Sequence, residues 1–219
     1  MLIKACLFDL DGVIVDTAKY HFLAWKRLAN TLGFDFTEAQ NEELKGVSRM
    51  KSLEIILAWG GVTLSEAEKL QWASTKNDWY LELVTQMTPD EILPGVKAFI
   101  LQLKQADIKI GLGSVSKNAG LILEKIGMYA WFDTIIDGNK ITQGKPDPEV
   151  FLNGAKELGL QPVECLVFED AVAGIEAATR AGMKSVGIGQ ASVLTQANVV
   201  LAGFEGVSWP QLVEVIGSN

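Results

Sequence analysis

Histidine is almost absent: His21 is the only one in 219 residues. A Ser-His-Asp hydrolase needs a histidine beside its nucleophile, and a catalytic zinc site commonly needs several. A single histidine speaks against both. Cysteine is nearly as scarce. Cys6 and Cys165 sit singly in apolar runs, Ala5-Cys6-Leu7 and Cys165-Leu166-Val167. That pattern reads as two small buried thiols, not a disulfide framework or a metal clamp. Cations are outnumbered, with 19 Lys+Arg against 27 Asp+Glu and a formal net charge of −8. Such a chain offers no broad basic face for nucleic acid. An anionic ligand would have to be held locally, by a few placed cations or a metal. No apolar run is long enough to span a membrane, which takes about 18 residues or more. The apolar N-terminal run MLIKACLFDLDGVIVD is interrupted by Asp9 and Asp11 and lacks a basic segment and a clear cleavage site. It reads as a strand, not as a signal peptide. The expectation is a soluble, cytoplasmic, monomeric protein.

What remains is ordinary globular material, 48% hydrophobic and 21% charged, long enough to bury a sizeable core. Residues 2–8 read as a buried strand. Residues 17–86 then read as helix after helix. Phe22, Trp25, Leu28, Ala29 and Leu32 recur at helical spacing from about Thr17 to Leu32, and Gly33 closes that helix. Thr37 with Gln40, and Ser65 with Glu68, have capping-box spacing. Ser48 can cap a helix carrying Leu53, Ile56 and Leu57. Trp25, Trp59, Trp72 and Trp79 all fall in this block and read mostly as core of a helical bundle. From Pro94 onward, helices alternate with short apolar strands at Ile108–Leu112, Thr134–Ile136, Cys165–Phe168 and Ser185–Ile188. A helix is expected from about Lys117 to Ile126, and Pro148 opens another. This alternation predicts an α/β fold: a Rossmann-like parallel sheet with helices on both faces, plus an inserted helical-bundle cap. The core is expected at 1–15 and 93–219, and the cap at 16–92.

In parallel sheets, sites form beyond the carboxyl ends of the strands. The first strand ends in Asp9-Leu10-Asp11-Gly12. Residues two apart on a strand share a face, so two carboxylates there repel unless a cation lies between them, and oxygen ligands suit Mg²⁺. A solvated turn has the same look. The next strand runs into Ser114-Val115-Ser116-Lys117-Asn118, where a hydroxyl and free amides at a helix start can hold an anion, or where Ser116 simply caps the helix. Lys145 stands in Gly144-Lys145-Pro146-Asp147-Pro148, as a fixed point charge for phosphate or as a plain loop lysine. A further strand ends in Glu169-Asp170, a second acid pair, with helix capping by Asp170 as the plainer reading. Taken together, acid pair, hydroxyl, lysine and acid pair follow successive strands of one sheet. That order would converge a cation, a carboxylate able to form an acyl phosphate, and phosphate-neutralising groups in one crevice.

These four pieces resemble the haloacid dehalogenase superfamily of phosphotransferases, with a helical cap after the first strand. The resemblance covers essentially the whole chain. It is closest to a sugar-phosphate mutase branch, through Asp9-Leu10-Asp11-Gly12-Val13-Ile14 with Asp16-Thr17, Tyr20-His21-Phe22, Trp25, Leu44-Lys45-Gly46-Val47-Ser48-Arg49, Lys76-Asn77, Ser114 to Asn118, Lys145-Pro146 and Glu169-Asp170.

The resemblance implies an isomerase that interconverts β-glucose 1-phosphate and glucose 6-phosphate through an aspartyl phosphate and β-glucose 1,6-bisphosphate. It makes Asp9 the nucleophile and Asp11 the general acid/base, with Thr17 and His21 in the catalytic group. His21 pairs with Lys76. Ser114 and Lys145 grip the transferring phosphoryl group. Mg²⁺ is held by Asp9, the Asp11 backbone carbonyl, Glu169 and Asp170. A bisphosphate needs a second phosphate site, for which Arg49, Ser116, Lys117 and Asn118 are the candidates. Trp25, Gly46, Val47, Ser48, Ser52, Lys76 and Asn77 complete the substrate set. Two points depart from the pattern: Gly113 or Val115 stands where relatives commonly have alanine, and the polar loop 139–144 yields no nameable ligand. Two rivals stay open, a Mg²⁺-dependent sugar-phosphate phosphatase on the same scaffold and a receiver-type signalling module with a phospho-aspartate. The helical block argues against the second, which needs no cap.

Overall fold

A computed structural model describes residues 3–218. Strand β1 (Ala5–Phe8) lies at the centre of a six-stranded sheet. The others are β2 (Lys109–Gly113), β3 (Thr134–Ile136), β4 (Cys165–Glu169), β5 (Lys184–Ile188) and β6 (Val199–Leu201). All neighbours pair in parallel, in the order β3-β2-β1-β4-β5-β6. The order reverses beside β1, so crevices open beyond the ends of β1, β2 and β4. Strand β6 and the last helix (Trp209–Ser218) add to the elements expected above. The first strand begins later than expected, and Leu2 lies outside the described residues.

The central strands β1 and β4 are buried on both faces, as strands inside a parallel sheet are. Successive residues of β1 serve opposite cores. Cys6 and Phe8 join Phe99, Phe168, Phe204 and Trp209 on one face. Ala5 and Leu7 join Val150, Phe151, Cys165 and Val167 on the other. Phe8 stacks on Phe168 of the neighbouring strand at 4.7 Å between ring centroids. Gly113 makes room for Phe151, since a Cβ there would stand 2.9 Å from its ring. Both thiols are buried and unbridged, as their apolar flanks imply.

In the sequence, four helices come next after β1: α1 (Ala18–Thr31), α2 (Glu38–Glu42), α3 (Arg49–Gly60) and α4 (Glu66–Val84). They bury a cluster of their own, including Trp25, Leu28, Phe36, Leu53 and Ile56. Trp25 is core, whereas Trp59 is 38% exposed. Trp72 and Trp79 are half-buried and pack against this cluster and against each other. Three of the four tryptophans thus belong to or pack against the core of the block, and Trp59 is the exception. The remaining helices flank the sheet: α5 (Val96–Gln105), α6 (Ala119–Lys125), α7 (Glu149–Leu158), α8 (Val172–Arg180) and α9 (Trp209–Ser218).

Both capping boxes form, at Thr37/Gln40 and Ser65/Glu68. Ser48 occupies the N-cap position of α3, but its side chain makes no capping bond. Helix α6 starts at Ala119, with Asn118 as its cap residue, not at Lys117. Asp170 does not cap α8 either; that position belongs to Ala171. Pro148 sits at the N-cap position of α7, one step before the helix proper. Ser65→Ala removes one half of a reciprocal pair and lowers stability by about 1 kcal/mol in urea unfolding. Ser48→Ala, which removes no capping bond, changes it by less than about 0.5 kcal/mol.

Candidate active site

The sheet register builds the site. Strands β1 and β4 pair Phe8 with Phe168, so Asp9, just after β1, and Glu169, the last residue of β4, emerge side by side. Asp9 N–H donates to the Phe168 carbonyl, extending the ladder one residue past β1. Lys145 arrives from the loop after β3. Its Nζ donates to Asp9 Oδ1 and, at 2.7 Å, to Glu169 Oε2. The lysine side chain is fully buried. Two glycines permit this crowding. Gly174, in the first turn of α8, leaves space for the Glu169 carboxylate, which a Cβ would meet at 2.0 Å. Gly12 turns the chain at φ +76°, and a Cβ there would stand 2.1 Å from Asp170 Oδ2.

Asp9, Glu169 and Asp170 each present a carboxylate oxygen within 4.8 Å of the others. They are hard oxygen donors of high charge, without histidine or thiolate, and fit a small divalent cation. The Asp11 side chain is outside this group. It accepts a hydrogen bond from the Thr17 hydroxyl, itself fully buried at the start of α1. The part expected of Asp11 at a metal is its backbone carbonyl, so the two findings are compatible.

The charges are strongly perturbed. For Lys145 burial works against the charge, but the carboxylates of Asp9 and Glu169 outweigh it and hold the ammonium above the ordinary lysine range. Loss of hydration, with the charges of Asp9 and Asp170, lifts Asp11 to about 8. Burial lifts Glu169 to about 8 against the pull of Lys145. Burial and the Asp9 charge lift Asp170 to about 6. Burial pushes His21 well below its usual range, aided by Lys76 and Arg49. Burial lowers Lys76 as well.

In front of these groups lies a cavity of about 550 Å³ between the strand ends and helices α1–α4. Asp9, Asp11 and Asp170 line its floor. His21, Trp25, Ser52, Lys76 and Asn77 line it from the helices, with Gly46, Val47, Ser48 and Arg49 from the turn leading into α3. Ser116, Lys117 and Asn118 face it from beyond β2. Fifteen expected residues therefore reach one cavity wall. Thr17, Ser114, Lys145 and Glu169 lie just behind it, each buried. Ser114 Oγ accepts from the Ser116 amide at 3.1 Å.

The helical side is tied together by the expected pair: Lys76 Nζ lies 3.0 Å from His21 Nδ1. If Lys76 donates in this pair, the ring proton of His21 resides on Nε2. Trp25 is more than a wall. Its ring centroid lies 4.2 Å from Lys76 Nζ, a cation–π contact that eases burial of the lysine. Asn118 Nδ2 donates to Asn77 Oδ1 at 2.9 Å, joining the α6 cap to α4.

Several lining residues fall outside the expected site set. Lys45 pairs with Glu42 at 2.9 Å and with Asp170 at 3.4 Å. Tyr80 is four residues past Lys76 and so shares its helix face. Asn41 is buried, and its amide donates to the Ala18 carbonyl. The loop after β3 contributes Gly138, Ile141, Thr142, Gln143 and Gly144. One Glu149 oxygen holds that loop, accepting from the Thr142 and Gln143 amides and the Thr142 hydroxyl. Helical spacing from Lys76 could have flagged Tyr80. Nothing in the sequence flagged the loop.

Residues 3–182 match the model of the haloacid dehalogenase-like hydrolases. The chain belongs to that family. Within the family it is 46% identical over 200 residues to the β-phosphoglucomutase of Bacillus subtilis, covering 90% of this chain and 88% of the relative. It is 30% identical over 186 residues to a phosphorylated carbohydrates phosphatase of Thermotoga maritima, covering 84% of this chain and 83% of that one. The crystal structure of β-phosphoglucomutase from Clostridium difficile superposes with a TM-score of 0.95 at 43% identity, covering 99% of this chain and 98% of that one. The haloacid dehalogenase-like fold is thus established, as is the six-stranded parallel arrangement.

The raised carboxyl groups imply a pH dependence. Each binds its proton more tightly in the folded chain than in the unfolded one, where carboxyl groups titrate near about 4. Between pH of about 4 and 8 the folded state therefore holds more protons, and cation-free stability falls as pH rises through that window. A divalent cation requires the deprotonated forms. Magnesium is expected to raise the melting temperature more at pH 8.5 than at pH 5.0. Equal shifts at both would contradict the arrangement.

Proposed function

We propose that this protein is a Mg²⁺-dependent mutase that interconverts β-glucose 1-phosphate and glucose 6-phosphate through an aspartyl phosphate and β-glucose 1,6-bisphosphate. The carrying observation is the pairing of 46% identity to a β-phosphoglucomutase across 90% of the chain with cationic and amide groups at a second place on the cavity wall. A phosphatase needs one phosphate site, whereas a bisphosphate intermediate needs two. The Arg49 guanidinium takes part in no salt bridge among the described residues. It lines the cavity uncommitted, as a phosphate ligand would.

In this reading phospho-Asp9 gives its phosphoryl group to the 6-hydroxyl of β-glucose 1-phosphate, and Asp9 then attacks the 1-phosphate of the resulting bisphosphate, regenerating the acyl phosphate and releasing glucose 6-phosphate. Asp11 takes the proton of the accepting hydroxyl and gives it back to the departing one, with Thr17 fixing its carboxylate. Lys145 and Ser114 hold the transferring group. Asp9, Glu169 and Asp170 would hold Mg²⁺ together with the Asp11 carbonyl, and the bound ion would neutralise phosphoryl charge. Arg49, Ser116, Lys117 and Asn118 would grip the phosphate that is not reacting. Gly46, Val47, Ser48, Ser52, Asn77 and Trp25 would surround the sugar, with the His21–Lys76 pair stiffening that wall. Residues 16–92 act as a lid over the core formed by 1–15 and 93–219, excluding water from the acyl phosphate.

Removing a grip that acts only on the remote phosphate should spare one half-reaction. Arg49→Ala is expected to leave Asp9 phosphorylation by acetyl phosphate within about threefold of wild type. Isomerisation should fall by roughly ten- to a hundredfold, the value of a charged hydrogen bond or two. Quenched-flow measurement of phosphoenzyme, run beside steady-state isomerisation, distinguishes the two. Equal loss in both would remove Arg49 from the second phosphate site.

A further inference from the structure

Lys145 has to hold one ammonium between two carboxylates at the end of a long, flexible stem. Its Nζ donates to Asp9 and Glu169, and its side chain has no exposed surface. A lysine can hold such a place only if the backbone it starts from is fixed. Yet Lys145 stands in a loop whose preceding residues Thr142 and Gln143 are exposed, so apolar burial does not fix them. Their place is set by hydrogen bonds.

Helix α7 supplies those bonds. Glu149, its first residue, turns one oxygen back over the loop. That Oε2 accepts from the Thr142 amide at 2.9 Å, the Thr142 hydroxyl at 3.0 Å and the Gln143 amide at 2.8 Å. Among the described residues, Thr142 and Gln143 make no other hydrogen bond. These bonds hold the Glu149 carboxyl below the usual carboxylate range, the Gln143 amide most of all, so it is charged at neutral pH. Between Gln143 and Glu149 the chain is tied to itself. The Asp147 amide donates to the Gly144 carbonyl at 3.1 Å, and Asp147 Oδ1 accepts from the Glu149 amide at 2.9 Å. Lys145 lies inside this bonded segment.

The helix that carries Glu149 is firmly seated, since Val150 and Phe151 are fully buried in the core on one face of the sheet. Phe151 also meets the far end of the lysine, with its ring centroid 5.0 Å from Lys145 Nζ. One helix therefore supports Lys145 at its root and at its tip. Glu149 itself is not on the cavity wall.

We propose that Glu149 is a positioning residue for phosphoryl transfer: by clamping Thr142 and Gln143 it fixes the backbone from which Lys145 reaches Asp9 and the transferring group. It acts through the lysine and touches neither substrate nor Asp9. This inference rests on the reading of Lys145 as a grip on the transferring phosphoryl group.

The test compares Glu149→Ala and Glu149→Gln with wild type in single-turnover phosphorylation of Asp9 by acetyl phosphate, with folding checked by thermal melting. Glu149→Ala is expected to slow phosphorylation about ten- to a hundredfold, the effect of a misplacement of about 1 Å. Isomerisation should slow by the same factor, because Lys145 serves both transfers. Glu149→Gln keeps an uncharged acceptor in place and should lose about threefold or less. Phosphorylation at the wild-type rate in a folded Glu149→Ala overturns the proposal. Crystal structures give a second readout that needs no turnover. Lys145 Nζ should bond Asp9 and Glu169 in a single conformer in wild type, and leave them or split between conformers in Glu149→Ala. Lys145 unmoved in the variant overturns the proposal, whichever reaction the enzyme catalyses. Should Glu149→Ala fail to fold, Gln143→Pro removes an amide donor from the same clamp and is read by the same two measurements. If no isomerisation is found while phosphorylation and Lys145 respond as stated, the mutase reading fails and the role of Glu149 stands.

Discussion

Lys145 holds two carboxylates at once, and the arrangement of the site follows from that. Strand order forces Asp9 and Glu169 to emerge from neighbouring strands, with Asp170 next in the chain. Three acids in so small a volume repel one another and lose hydration. The buried ammonium offsets part of that cost by bonding Asp9 and Glu169 together. The rest is visible in the raised affinity of Glu169 and Asp170 for protons. A pocket that concentrates negative charge in this way is ready for a small divalent cation, which then lets a dianionic phosphate approach an acidic protein. The glycines at 12 and 174 are the steric side of the same constraint, since a side chain at either would displace a carboxylate.

The helical block answers a different need. An acyl phosphate is destroyed by water, so its carrier has to be enclosed whenever it forms. The cavity is accordingly built from two sources, strand ends below and helices α1–α4 above. Polar links between the sources, Asn118 to Asn77 and Lys45 to Asp170, stand beside apolar contacts of Ala24, Tyr80 and Val84 with the core of the sheet. Polar links of this kind exchange readily with water, as an opening and closing lid requires. Within the block the packing is firmer. Trp25, Lys76, His21 and Tyr80 form a continuous stack.

The fold was legible because its signals are local. Apolar runs ending in acid, alternating with helices, specify a parallel sheet, and the capping boxes at Thr37 and Ser65 mark helix starts. The chemistry at the strand ends was legible because each group ends a strand or directly follows one: Asp9, Ser114, Glu169 and Asp170. Other features depend on distant neighbours. Ser48 has the residue type and position of a cap, yet it lies in the cavity wall and makes no capping bond. Trp59 has core spacing but stays partly exposed, its ring against Phe36. The loop 138–144 has no periodicity to read, and its place on the cavity is fixed by a carboxylate several residues later, Glu149. Lys45 was visible within a motif, but its partner Asp170 is far along the chain.

The central claim is that phospho-Asp9 is resolved by a sugar hydroxyl and not by water. The most direct measurement supplies β-glucose 1-phosphate, Mg²⁺ and a catalytic amount of β-glucose 1,6-bisphosphate, and follows glucose 6-phosphate and inorganic phosphate in the same reaction. The account predicts rapid formation of glucose 6-phosphate with phosphate release slower by orders of magnitude. Phosphate release without glucose 6-phosphate would contradict it and make the protein a phosphatase.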